Sequence, residues 1–98
     1  MNISIKLCEH IRERIIPQYV NFDKAHRIDH VEKVIEESMK LALHYEVNSA
    51  MVYTIAAYHD LGLCEGREFH HIVSGKILFA DETLWQWFTD DQMLQMKE

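Results

Sequence analysis

A chain of 98 residues holds one domain and leaves little room for a second, cofactor-binding lobe. It is 48% hydrophobic with three glycines and one proline, so a packed core is within reach, turn signals are few, and a helical bundle is favoured over a sheet of short strands. The formal net charge of -6, with no Lys/Arg cluster, argues against a nucleic-acid polymer as partner, although a small phosphorylated ligand fits if a metal supplies positive charge.

Cys8 and Cys64 are too far apart for a zinc knuckle and too few for a disulfide framework, and they read as reduced thiols of a cytoplasmic protein. No stretch approaches ~20 uninterrupted apolar residues and no export signal opens the chain, so neither membrane insertion nor secretion is expected.

Ile3 to Ile16 predicts a first amphipathic helix, with Ile5, Cys8, Ile11 and Ile15 on one stripe and Pro17 limiting its length. Gln18 to Ile28 is polar and aromatic and reads as irregular. A second helix opens near Asp29 and runs to about Tyr45, with Val31, Val34, Ile35, Ser38 and Ala42 inward and Glu32, Lys33, Glu36 and Glu37 outward. Val47-Asn48-Ser49 supplies a turn and a cap for the next helix. The run from Met51 to Ala57 has almost no polar face, which predicts a buried central helix stopped by Gly62 in a left-handed conformation. After a polar loop from Cys64 to Glu68, a fourth helix covers about Phe69 to Phe79 with Ile72, Val73 and Ile77 inward. Asp81-Glu82 starts a fifth, carrying Leu84, Trp85 and Phe88. Thr89-Asp90-Asp91-Gln92 fits a capping box and announces a sixth, with Met93, Leu94 and Met96 apolar. A helix so begun rarely ends two turns later, and the expectation is that the 98 residues belong to a longer natural chain.

The chemistry lies in the histidines, of which there are seven. His59 and Asp60 stand together at the end of the central helix, where an imidazole and a carboxylate at the rim of a core cost several kcal/mol unless each finds a partner. A divalent cation satisfies both. His30 precedes Val34 by one turn on the inward stripe and so points at the core that the central helix enters. His26 shares that face if the second helix extends back to it. Of the adjacent His70 and His71, one must point away from whatever the other faces, and His10 and His44 read as core or surface residues without a role in chemistry.

Ala-His-Arg-Ile-Asp-His30-Val-Glu-Lys-Val, then Ala-Ala-Tyr-His59-Asp60-Leu-Gly, then His70-His71-Ile-Val-Ser-Gly-Lys-Ile-Leu together resemble the HD superfamily of metal-dependent phosphohydrolases, from about Asp23 to Phe79. The resemblance implies an all-α, HD-type bundle of about five to six helices with a divalent cation at its centre. By position, His30 would be the first ligand and His59 with Asp60 the doublet, while His70 or His71 would bind a second metal or contact substrate phosphate. One departure is plain: the family pattern closes with a further Asp on a later helix, and Asp81, Asp90 and Asp91 read better as helix caps.

Mixed imidazole and carboxylate ligands suit Mn, Fe, Co, Ni or Zn, and Mg less well because it prefers oxygen. Such a cation lowers the pKa of a bound water and polarises a phosphoryl oxygen. The expected activity is hydrolysis of a nucleotide or another small phosphate ester, with Asp60 and His71 acting on the reacting group. His26, Arg27, Arg67 and His70 would hold the substrate, while Lys33 and Lys76 read as solvated surface charges. The alternative is a catalytically impaired HD-type module that binds a ligand, regulates or oligomerises. For oligomerisation, the expectation is a homodimer through exposed Trp85, Trp87 and Phe88.

Overall fold

The computed structural model describes residues 3–21, 28–45, 47–62 and 70–97, and these form an all-α bundle of about five helices without strands. Helix α1 spans Ile5–His10, starting where the Ser4 hydroxyl accepts the Leu7 N–H. Pro17 has no N–H to return to Glu13, and the chain leaves α1 through a wide π turn, Ile11–Ile15, before tightening into a 3-10 helix, Ile16–Asn21. That last piece replaces part of the irregular segment expected there. The inward stripe also differs: Ile5 is 75% exposed, and Leu7, Ile11 and Ile15 fill the core at four-residue intervals.

Helix α2, Ile28–Ala42, buries Val31 and Ala42 and leaves Glu32, Lys33, Glu36 and Glu37 exposed, as its pattern requires. Three residues on, Tyr45 is exposed and lies outside the helix, in the connection to α3. Helix α3, Ser49–Tyr58, starts where Asn48 Oδ1 accepts the Met51 N–H and packs along α2. It is largely buried as its composition predicts, although Ile55 is 41% exposed; the buried Thr54 hydroxyl donates to the Ala50 carbonyl at 2.8 Å.

Helix α4, His70–Ala80, is rotated from the face its apolar residues suggest, although Ile77 still packs partly buried against the core. Ile72 is 59% exposed, whereas Ser74, Gly75 and Leu78 are buried. Two contacts set that rotation. The Ser74 hydroxyl accepts the Gly62 N–H at 2.7 Å, and Gly75 lies against the backbone of α5, Asp90–Lys97, so closely that a methyl group at 75 would overlap the Lys97 carbonyl oxygen. A larger side chain at either position would push α4 away.

Between α4 and α5 a 3-10 helix, Glu82–Gln86, buries Leu84. The expected exposed aromatic surface is not there: Phe88 is buried in the core, and Trp85 and Trp87 pack against it half-buried, with Trp85 Nε1 donating to the Phe79 carbonyl at 3.2 Å. Helix α5 opens with the capping box read from Thr89 and Gln92: the Thr89 hydroxyl accepts the Gln92 N–H, and Gln92 Oε1 accepts the Thr89 N–H. Met93 and Met96 face the core and Leu94 faces out. No helix among the described residues is long and apolar enough to cross a membrane.

Candidate metal centre

Helix α3 ends where side chains take its last carbonyls. His59 Nδ1 lies 2.6 Å from the Ala56 carbonyl, and the Tyr19 hydroxyl donates to the Ala57 carbonyl at 2.7 Å. The helix therefore closes at Tyr58, and His59 and Asp60 leave from the turn after it instead of from its last turn. Leu61 and Gly62 continue as a short 3-10 segment, so Gly62 is not what stops the helix.

A carbonyl oxygen only accepts, so Nδ1 of His59 carries a proton, and in the neutral ring Nε2 presents its lone pair. That lone pair points at Asp60, whose Oδ2 is 2.9 Å away. An imidazole lone pair and a carboxylate oxygen at that distance repel unless they share a cation, a proton or a metal ion. The first turn of α2 brings His30 to the same place, with Nε2 3.7 Å from Asp60 Oδ2 and its ring centroid 6.0 Å from that of His59. One ligand atom from each of His30, His59 and Asp60 lies within 4.8 Å of the others. Bonds of about 2.0–2.2 Å from nitrogen and oxygen to one ion set ligand-to-ligand edges of about 2.8–3.6 Å, so the His59–Asp60 edge already fits and His30 has to move inward to close the set.

Burial differs across the trio in a useful way. Asp60 is 5% exposed, while the imidazoles of His59 and His30 are 25% and 41% exposed at the side chain. The carboxylate thus anchors the site from the core and the imidazoles open it to solvent. Tyr19 holds the anchor, since its hydroxyl also accepts the Asp60 N–H at 3.3 Å. Burial pushes the Tyr19 phenol well above the usual tyrosine range, so it stays neutral and keeps its proton for Ala57.

The sequence-derived set divides as follows. His30, His59 and Asp60 come together. His71 lies on α4 and lines, with His59, Ser74, Met96 and Lys97, an open cleft of about 170 Å³ beside the trio. His26, Arg27 and Arg67 lie outside the described residues, as does the side chain of His70. Asp81 stays apart from the trio. It caps the 3-10 helix through the Thr83 N–H at 3.1 Å and accepts from Tyr58 at 2.5 Å and from His10 Nε2 at 2.8 Å. Asp90 and Asp91 stand exposed in the first turn of α5.

Sequence reasoning missed Tyr19 and Lys97 as neighbours of the site. The signal for Tyr19 was a large aromatic shortly after Pro17 in a segment read as irregular; Lys97 carried none. No protein-family model matches the chain, and no curated protein or solved structure does either.

Proposed function

We propose that the protein is a metal-dependent phosphohydrolase acting on a nucleotide or another small phosphate ester, with His30, His59 and Asp60 as ligands of a divalent cation. One observation supports this reading above the others: the Ala56 carbonyl fixes the His59 ring so that its free nitrogen faces a buried carboxylate with a second imidazole beside it. Two nitrogens and an oxygen suit Mn, Fe, Co, Ni or Zn, and Mg less well. When bound, the cation supplies the charge that activates a water and polarises a phosphoryl oxygen.

The chain's own residues do the rest. Asp60, whose backbone N–H is tied to Tyr19, keeps its carboxylate aimed at the open side of the site and orients the attacking water. His71, across the cleft from His59, meets the phosphoryl group or its leaving oxygen.

A second reading, metal or ligand binding without turnover, is favoured by the size of the ligand set: among the described residues it has three members, one carboxylate included. The test is phosphate release from a panel of nucleotides and simple phosphate esters by protein loaded with Mn or Ni. Release from at least one class is expected. A loaded, folded protein that releases none leaves the binding reading in place of the enzymatic one.

A further inference from the structure

In a chain with 16 acidic and 10 basic residues, the described residues that line the cleft beside His59 include no carboxylate. The polar residues in that lining are His59, His71, Lys97 and the buried Tyr58 and Ser74, whose hydroxyls are engaged by Asp81 and the Gly62 N–H. A second hollow, of about 360 Å³, shares His71 and Lys97 with the first and adds Ile72 and Leu94, which are both about half exposed. Going outward from the trio, the surface therefore passes from His59 through His71 and Lys97 to an apolar shelf.

Lys97 has the reach for such a role. Its backbone is held against Gly75, which lies one helical turn from His71 in one direction and one turn from Phe79 in the other. Its ammonium rests over the Phe79 ring, 5.2 Å from the centroid, a contact worth only about 0.5–1 kcal/mol at an exposed site. A dianion in the cleft competes easily with that contact.

We propose that Lys97 is a substrate-positioning residue: its ammonium leaves Phe79 to hold, with His71, the phosphoryl group of a phosphate monoester whose apolar or aromatic portion lies on Ile72 and Leu94. This rests on the phosphoryl-group reading of the site and narrows it to monoesters, because a doubly charged phosphate gains more than a singly charged diester from the Lys97 ammonium.

The experiment is NMR titration of the whole protein, with and without Mn replaced by diamagnetic Zn, using methylphosphonate, phenylphosphonate and dimethyl phosphate as probes. Wild type is expected to bind phenylphosphonate about tenfold more tightly than methylphosphonate, and dimethyl phosphate most weakly. Lys97→Met should weaken both phosphonates by about fivefold to tenfold with rescue by Lys97→Arg, and Leu94→Ser should remove only the phenyl advantage. Both side chains are exposed, so the fold is expected to persist, and amide spectra check it. Unchanged phosphonate affinity in Lys97→Met overturns the proposal, as does equal binding of dimethyl phosphate and methylphosphonate. Lys97-dependent phosphonate binding in a protein that takes up no metal would instead overturn the metal reading and leave the anion site standing.

Discussion

Asp60→Asn is expected to remove most of the stabilisation that a divalent cation confers on the protein. The amide oxygen is a far poorer ligand, and loss of the charged member of a three-residue set lowers affinity by at least about a hundredfold. A cation held at one hundred times its dissociation constant stabilises the native state by ≈ 2.7 kcal/mol, which in a domain of this size raises Tm by roughly 10–20 °C. Thermal unfolding with and without Mn or Zn reads the difference directly: a large upward shift for wild type and at most about 2–3 °C for Asp60→Asn. Equal shifts in both proteins would place the cation elsewhere.

The second large effect lies at the same, C-terminal end of α3, where Tyr58 reaches away from the metal site to Asp81. Asp81 accepts from Tyr58 and from His10 through one oxygen and from the Thr83 N–H through the other, tying α1, α3 and the 3-10 helix after α4 to one carboxylate. In Asp81→Asn, either orientation of the amide sets an N–H against one of those donors. A cost of about 2–3 kcal/mol follows, or a fall in Tm of roughly 10–20 °C. Burial pushes the Asp81 carboxyl up, but the hydrogen bonds from Tyr58, His10 and Thr83 outweigh it and hold the carboxyl below its ordinary value. A depressed folded pKa contributes stability that is present above the unfolded value, about 3.9, and lost as pH falls through the folded one. Wild type should therefore lose stability steeply below about pH 4, and Asp81→Asn should lose less over the same range. Denaturant unfolding between pH 2.5 and 7 checks both; parallel pH profiles would show that this carboxylate does not carry the acid sensitivity.

The parts of this arrangement that could be read in the chain are those carried by local pattern. The apolar run before His59, the inward position of His30 one turn ahead of Val34, and the Thr89–Gln92 box depend on neighbours within a few residues, and each is found as expected. Rotation of a helix about its axis was less legible. Hydropathy sends Ile5 and Ile72 inward, yet Leu7 and Ser74 occupy those places, Ser74 because its small hydroxyl closes on Gly62 from 12 residues away. Tyr19 and Asp81 follow the same rule. Their partners lie 38 and 71 residues off, at Ala57 and His10, and no local pattern announces a phenol that caps a distant helix or a helix cap that gathers two more donors.

Metal content of the purified wild-type protein, compared with a His59→Ala, Asp60→Ala double variant, tests the central claim most directly. One divalent transition metal per wild-type chain, absent from a double variant that still folds, is the predicted result. A wild-type protein that folds but takes up no metal, or a double variant that retains it, would contradict the assignment of His30, His59 and Asp60 as a metal site.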